Sequence, residues 1–259
     1  MQSVQQVLEQ NSATGRGSLI GYFPAGYPSV QDSVDALVAM AENGCDVLEV
    51  GVPYSDPVMD GLVIQQATEK ALANGFKLRQ LFDVVKGVRA KTDVPMLVMS
   101  YWNPVLSYGV EKFAEDLKDS GAQGIITPDL IPDEAGEWIE VSDQLGLDRV
   151  FLVAPSSSEK RVSNNSAASR GFVYSVSTMG ITGERAELDR LAREVVGRVQ
   201  QSGSTPTCVG VGISTAEQVR EVNSYSSGAI VGTAFVRAYE QGGVHALAEK
   251  ARELAGGLG

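Results

Sequence analysis

The stretch Asp46-Val47-Leu48-Glu49-Val50-Gly51-Val52-Pro53-Tyr54-Ser55-Asp56-Pro57-Val58-Met59-Asp60-Gly61 passes from a short apolar run into a run of turn residues. Val47, Leu48 and Val50 have the pattern of a strand buried on both faces, as in parallel sheets. Gly51 and Pro53 end it. Glu49 interrupts the apolar run, and a buried acid is costly unless it is paired or used. Asp60 follows in the loop. The reading is one carboxylate on a rigid strand end and a second on a segment able to move over it. Glu49 is then either salt-bridged to a neighbour or tuned by its surroundings for chemistry, and perturbed acids in clefts favour the second.

Outward from this strand, short apolar runs alternate with amphipathic stretches along the whole chain. Strands are predicted at Ser18–Phe23, Val47–Val50, Pro95–Ser100, Gly124–Thr127, Arg149–Val153, Gly171–Val176, Thr207–Val211 and Gly228–Val231. Ser29 with Asp32 reads as a capping box opening a helix whose inner face carries Val34, Leu37, Val38 and Ala41. Ser214-Thr215-Ala216-Glu217 reads as another. The segment Gln65–Ala90 has room for two helices broken near Asn74-Gly75, and an extra helical turn is expected at Val4–Gln10. Eight strand–helix units with short connections predict a closed (β/α)8 TIM barrel with an extra N-terminal helix, an open doubly wound sheet being the alternative. No linker or low-complexity tract divides the chain, so residues 1–259 are expected to form one domain. The tail Gly256-Gly257-Leu258-Gly259 is expected to fray.

Composition narrows the function. The 259 residues carry 21 Lys and Arg against 32 Asp and Glu, a net charge of −11. That argues against a nucleic-acid partner. It also means that an anionic ligand must be held by local backbone geometry against the global field. No apolar run reaches the ~18 residues of a membrane span, and the N-terminus lacks the basic start and apolar core of a secretory signal. Cys45 and Cys208 lie far apart without metal-ligand spacing, which fits a reduced, cytoplasmic compartment. His245 is the one histidine. Acid–base work therefore falls to carboxylates, Tyr or Lys, and no metal is expected.

Three glycine-bearing turns fall after the sixth, seventh and eighth strands: Met179-Gly180-Ile181-Thr182-Gly183, Gly210-Val211-Gly212-Ile213-Ser214 and Val231-Gly232-Thr233-Ala234. Such turns present backbone N–H groups and a helix dipole to an anion. Barrel enzymes often bind phosphate after strands seven and eight. The two later turns hold no Lys or Arg, so the cradle would be built from amides and the Thr233 hydroxyl. The segment Ser177–Glu187, with Gly180 and Gly183 as hinges and Thr178, Thr182 and Arg185 as polar reach, reads as a loop able to close over the site or as plain surface. Apolar residues crowd the loops on the same face: Pro53, Tyr54, Pro57, Val58 and Met59; Tyr101, Trp102, Pro104, Val105 and Leu106; Leu130, Ile131 and Pro132. An apolar rim of this kind points to a protein partner.

The segment Leu48–Pro57 with Asp60-Gly61, the loop Gly180-Ile181-Thr182-Gly183, and the turns Gly210–Ser214 and Gly232-Thr233-Ala234 resemble the tryptophan synthase alpha chain family. The likeness runs from about Gly17 to about Tyr239, in order and with few gaps. The resemblance implies a lyase that splits indole-3-glycerol phosphate into indole and glyceraldehyde 3-phosphate. It implies Glu49 as the acid that protonates the indole ring carbon C3 and Asp60 as the acceptor for the ring N–H. It implies phosphate at Gly183, Gly212, Gly232 and Thr233, and an indole slot lined by Tyr22, Met99, Ile126, Leu152, Tyr174 and Val211. It further implies a beta chain carrying pyridoxal phosphate in an α2β2 assembly, no cofactor in this chain, and an interface at Pro53, Asp56, Pro57, Trp102, Asn103, Val105 and Pro132. Met59 and Leu62 stand where the family often has a small residue and Pro, Thr233 where Ser is frequent, and Tyr22 where Phe is common. The competing readings are another phosphate-binding barrel enzyme, such as an epimerase or a flavoenzyme, and a barrel kept only to activate another chain.

Overall fold

A computed structural model describes residues 2–176, 185–210 and 212–259, with the main chain alone for 185–188. Its strands are β1 (Leu19–Pro24), β2 (Val47–Gly51), β3 (Met96–Met99), β4 (Gly124–Ile126), β5 (Asp148–Val150), β6 (Leu152–Val153), β7 (Val173–Val176), β8 (Thr207–Gly210) and β9 (Gly228–Val231). They form one parallel sheet in the order β5-β4-β3-β2-β1-β9-β8-β7-β6. The two ends of that order, β5 and β6, are the halves of the predicted strand Arg149–Val153, separated at Phe151. The first half pairs with β4 and the second with β7, and the Tyr174 amide donates to the Phe151 carbonyl at 3.1 Å. The sheet thus comes round on itself as the expected barrel, with its fifth strand changing partners midway.

Strand alternation divides the side chains into two sets. Inward-facing Ile20, Val47, Leu97, Ile126, Val150, Phe172, Cys208 and Ile230 fill the barrel with one apolar cluster. Leu48, Val50, Val98, Ile125, Val209, Ala229 and Val231 belong to a second, outer cluster with the helical Leu37, Leu81, Phe113, Trp138 and Phe235. Both faces are dry, which explains the unbroken apolar runs. The extra helix, α1 (Val4–Ala13), opens with a Ser3/Gln6 capping box and sends Val4 and Leu8 into the inner cluster. It plugs the end of the barrel where the strands begin.

The remaining helices are α2 (Val30–Glu42), α3 (Leu62–Ala73), α4 (Arg79–Arg89), α5 (Trp102–Tyr108), α6 (Val110–Ser120), α7 (Gly136–Leu145), α8 (Glu159–Ala168), α9 (Arg185–Ser202), α10 (Ala216–Asn223) and α11 (Thr233–Ala255). The last is interrupted by non-helical Gly242 and Gly243. Ser29 caps α2 by accepting from the Asp32 amide at 3.2 Å. The second cap sits one residue later than expected: Thr215 accepts from the Gln218 amide, and the Gln218 side chain reaches back to the Ser214 amide at 2.7 Å. Residues 102–108, expected as loop, are the helix α5. The tail does not fray. Leu258 is buried, its carbonyl accepts from the Gly17 amide at 3.0 Å, and a Cβ on Gly257 would come within 2.2 Å of the Ala216 carbonyl oxygen. One apolar side chain and one close approach dock a segment whose glycines alone predict freedom.

Candidate active site

β2 carries Glu49 on its inward set, level with Tyr22 of β1 and Leu97 of β3. The residue is 1% exposed. Neither carboxylate oxygen meets a hydrogen-bond donor among the described residues, and no cation pairs with it. A structural salt bridge is therefore not what keeps it there. Burial alone pushes its carboxyl up to about 8, since an apolar interior penalises the charged form.

Two phenols share these surroundings. A Cβ on Gly51 would meet the Tyr22 hydroxyl at 2.2 Å, and one on Gly210 would meet the Tyr174 hydroxyl at 2.6 Å. Each tyrosine thus lies across the glycine of a neighbouring strand. Burial raises both phenols well above their ordinary range, and the negative charges of Glu49 and Asp60 add to the shift. Met99 and Leu152 pack half-buried against the inner cluster, and Ile126 is fully buried within it. Val211 lies outside the described residues. Glu49 thus lies in an apolar interior with two neutral hydroxyls beside the side chains predicted for an aromatic slot.

Asp60 sits on the loop between β2 and α3. Its amide donates to the Pro57 carbonyl at 3.0 Å, and its carbonyl accepts from Gln65 Nε2 at 2.8 Å. The adjoining Met59 amide donates to the Tyr101 hydroxyl at 2.8 Å. Burial pushes the Asp60 carboxyl up to about 6. The two acids therefore differ in the depth of their surroundings, and at neutral pH Glu49 is mainly protonated while Asp60 is mainly ionised. Tyr54 stacks on Tyr101 with ring centroids 5.2 Å apart, Asn103 Nδ2 donates to the Tyr54 hydroxyl at 3.3 Å, and the Trp102 amide donates to Asp129 at 2.9 Å. The loops after β2, β3 and β4 are tied together at the barrel mouth. Sequence reading counted Tyr101 among the apolar rim. The available signal was a tyrosine two residues past a barrel strand, where residues face the mouth.

Gly232 is the N-cap of α11, with no side-chain hydrogen bond at that cap, and Thr233 is the first helical residue. A Cβ on Gly232 would lie 3.1 Å from the Tyr22 ring, so this helix start opens beside the slot. The first-turn amides of a helix lack internal partners and suit an anion. Gly212 is exposed, with φ of +66°. Gly183, like Thr178, Gly180 and Thr182 of the segment read as a closing loop, lies outside the described residues. Among the described residues no three His, Cys, Asp or Glu are grouped to hold a metal. His245 lies far along α11, 3.8 Å from Glu249.

Of the residues proposed for a partner, Asp56 and Asn103 are exposed, and Pro57, Trp102 and Pro132 are partly so. Pro53 and Val105 are buried within this chain and offer it no surface. Val105 is buried because residues 102–108 coil into α5, which turns it into the outer cluster. The exposed apolar surface on this face is instead Val58, Leu62 and Leu106, at 77%, 70% and 53% exposure.

A family model described as tryptophan synthase alpha chain matches residues 8–256. Tryptophan synthase alpha chains of Leifsonia xyli subsp. xyli and Mycobacterium intracellulare are 56% and 51% identical, covering 99% and 94% of this chain and 98% and 90% of theirs. The crystal structure of tryptophan synthase from M. tuberculosis in its aminoacrylate-bound form superposes with a TM-score of 0.92 at 44% identity over 99% of both chains. The tryptophan synthase alpha-subunit of Pyrococcus furiosus, in a mutant structure, gives 0.83 at 35% identity over 93% of this chain and 98% of that one. Matched by the family model over residues 8–256 and by relatives along almost their whole length, this chain belongs to the tryptophan synthase alpha chain family.

Proposed function

We propose that the chain is a lyase cleaving indole-3-glycerol phosphate to indole and glyceraldehyde 3-phosphate, the alpha reaction of tryptophan synthase in L-tryptophan biosynthesis. The observation that carries this reading is Glu49: a buried carboxyl among apolar side chains, neither of its oxygens paired among the described residues, which burial pushes up to about 8. The reaction needs a proton on ring carbon C3 and the loss of one from the adjoining side-chain hydroxyl. Glu49 delivers its proton to C3. The positive charge that develops on the ring nitrogen is stabilised by Asp60, ionised at the same pH and accepting the N–H. The Glu49 carboxylate then takes the proton of the side-chain hydroxyl. The carbon–carbon bond breaks, its electron pair restores the aromatic ring, and the oxygen becomes the aldehyde of glyceraldehyde 3-phosphate. Glu49 ends protonated, so the cycle closes with no electron carrier. Two carboxyls in unlike surroundings dividing acid and charge-stabilising roles is a recurrent arrangement.

The indole ring rests among Tyr22, Met99, Ile126, Leu152, Tyr174 and Val211. The phosphate rests on the amides of Gly232, Gly212 and Gly183 with the Thr233 hydroxyl. A tryptophan synthase beta chain docks on the apolar face at Val58, Leu62 and Leu106 with Asp56, Pro57, Trp102, Asn103 and Pro132, in an α2β2 assembly. Pyridoxal phosphate belongs to that partner. Holding it here would need a buried amine to condense with its aldehyde, and no lysine among the described residues is buried. The chain works as one barrel domain, 1–259, in the cytoplasm, where Cys45 and Cys208 stay reduced. The test is indole release from indole-3-glycerol phosphate by the isolated chain and with a beta chain added. Slow release that rises with the partner is expected; no indole in either case overturns the reading.

A further inference from the structure

The Tyr101 hydroxyl stands apart from the other phenols at the barrel mouth, because it touches the main chain beside a carboxylate of the site. It accepts the Met59 amide at 2.8 Å, one residue before Asp60. Its ring is buried and stacks on Tyr54 of the same loop at 5.2 Å and 30°. Burial, then the charge of Asp60, raises the phenol, so it stays protonated. The next residue, Trp102, begins α5, and its amide is anchored on both Asp129 oxygens at 2.9 and 3.1 Å. One tyrosine therefore connects a helix that carries exposed Leu106 to the segment that carries Asp60.

We infer that Tyr101 is a positioning residue for the lyase reaction: its hydroxyl latches the Met59 amide and so fixes the Asp60 carboxylate over the slot, acting on the reaction through Asp60. The inference rests on the function proposed above. The other main-chain hydrogen bonds of Asp60, to Pro57 and from Gln65, are local, whereas the Tyr101 tether reaches the loop across 42 residues of sequence, so the loop's orientation against the next barrel strand depends on it. A carboxylate misplaced by about 1 Å loses much of its effect on a developing charge. The loss falls on the step in which charge appears, not on the phosphate and ring contacts that dominate substrate affinity.

The test is Tyr101→Phe in the full chain, alone and with the beta chain. The variant keeps the ring stack and removes only the oxygen. Hydrogen exchange at the Met59 amide should speed up by about tenfold, while the amides of β2 keep their protection. The kcat should fall about tenfold with KM for indole-3-glycerol phosphate held within about threefold, the signature of an interaction made in the transition state. A merely structural role would raise KM and loosen β2 as well. Unchanged exchange at Met59 overturns the latch. Faster exchange with unchanged kcat overturns the positioning role. A parent chain that releases no indole would instead overturn the proposed function and leave the exchange measurement to judge the latch. Should Tyr101→Phe not fold, Asp129→Asn, which weakens the anchor of Trp102, provides the second variant, with the same exchange and kcat readings expected in milder form.

Discussion

Burial of Glu49 supplies an acid near neutral pH and at the same time makes folding depend on pH. Its folded-state carboxyl is pushed up to about 8 from an ordinary 4.5. The folded chain keeps a proton that the unfolded chain releases above pH 4.5. The stabilisation is therefore full below that pH and is lost as pH rises through 8, a change on the order of 5 kcal/mol for this group. Thermal denaturation between pH 5 and 8.5 should show the melting temperature of the parent falling more steeply than that of Glu49→Gln, which has no proton to lose. Parallel slopes would mean that Glu49 is not desolvated. The same substitution should cut kcat by at least about 100-fold while circular dichroism stays unchanged, because shape is kept and the acid is removed. Turnover of the parent should be bell-shaped in pH. It should fall below about 6 as Asp60 is neutralised and above about 8 as Glu49 ionises, which steady-state rates across pH 5–9.5 would display.

Among the elements, the start of α11 offers a geometry that serves an anion. Gly232 leaves its cap without a side-chain hydrogen bond and lies against the Tyr22 ring. A valine there would push on Tyr22 and crowd the amides, so Gly232→Val should raise KM for the substrate at least about tenfold. Gly212→Val should do the same, since φ of +66° strains any L side chain. Normal KM in Gly232→Val would place the phosphate elsewhere. Much of this was legible in the sequence because it lies in local pattern. An acid inside Val47–Val50 announces itself, as do glycines at strand ends with no cation nearby. What was not legible depends on contacts between distant segments. The Tyr101 latch joins residues 42 apart, the strand at 148–153 changes partners at Phe151 without any change in its apolar pattern, and residues 102–106 read as rim because a seven-residue helix is too short to show a period. The tail was misread because four residues with three glycines hide a single apolar anchor, Leu258.

For the molecule as a whole, the site and the proposed docking face share one end of the barrel. The chain is strongly acidic, with a net charge of −11, yet the surface beside the Asp60 loop carries Val58, Leu62 and Leu106 largely exposed. Apolar surface next to the proposed site is costly to leave wet and is useful only if something covers it. α5 presents Leu106 outward while Val105 enters the core, so a charge at 106 alters the surface and leaves the packing of the helix in place. Burying a leucine at an interface contributes about 2 kcal/mol, and a carboxylate in its place must be desolvated or must hold the surfaces apart. Leu106→Glu should therefore raise the beta-chain concentration that gives half-maximal stimulation of indole release by roughly 30-fold, with the rate at saturation near that of the parent. Titrating the beta chain against a fixed amount of each alpha chain measures both quantities in one experiment. An unchanged half-maximal concentration would move the docking face away from α5, and a lowered plateau would mean that Leu106 acts on the site and not on affinity alone.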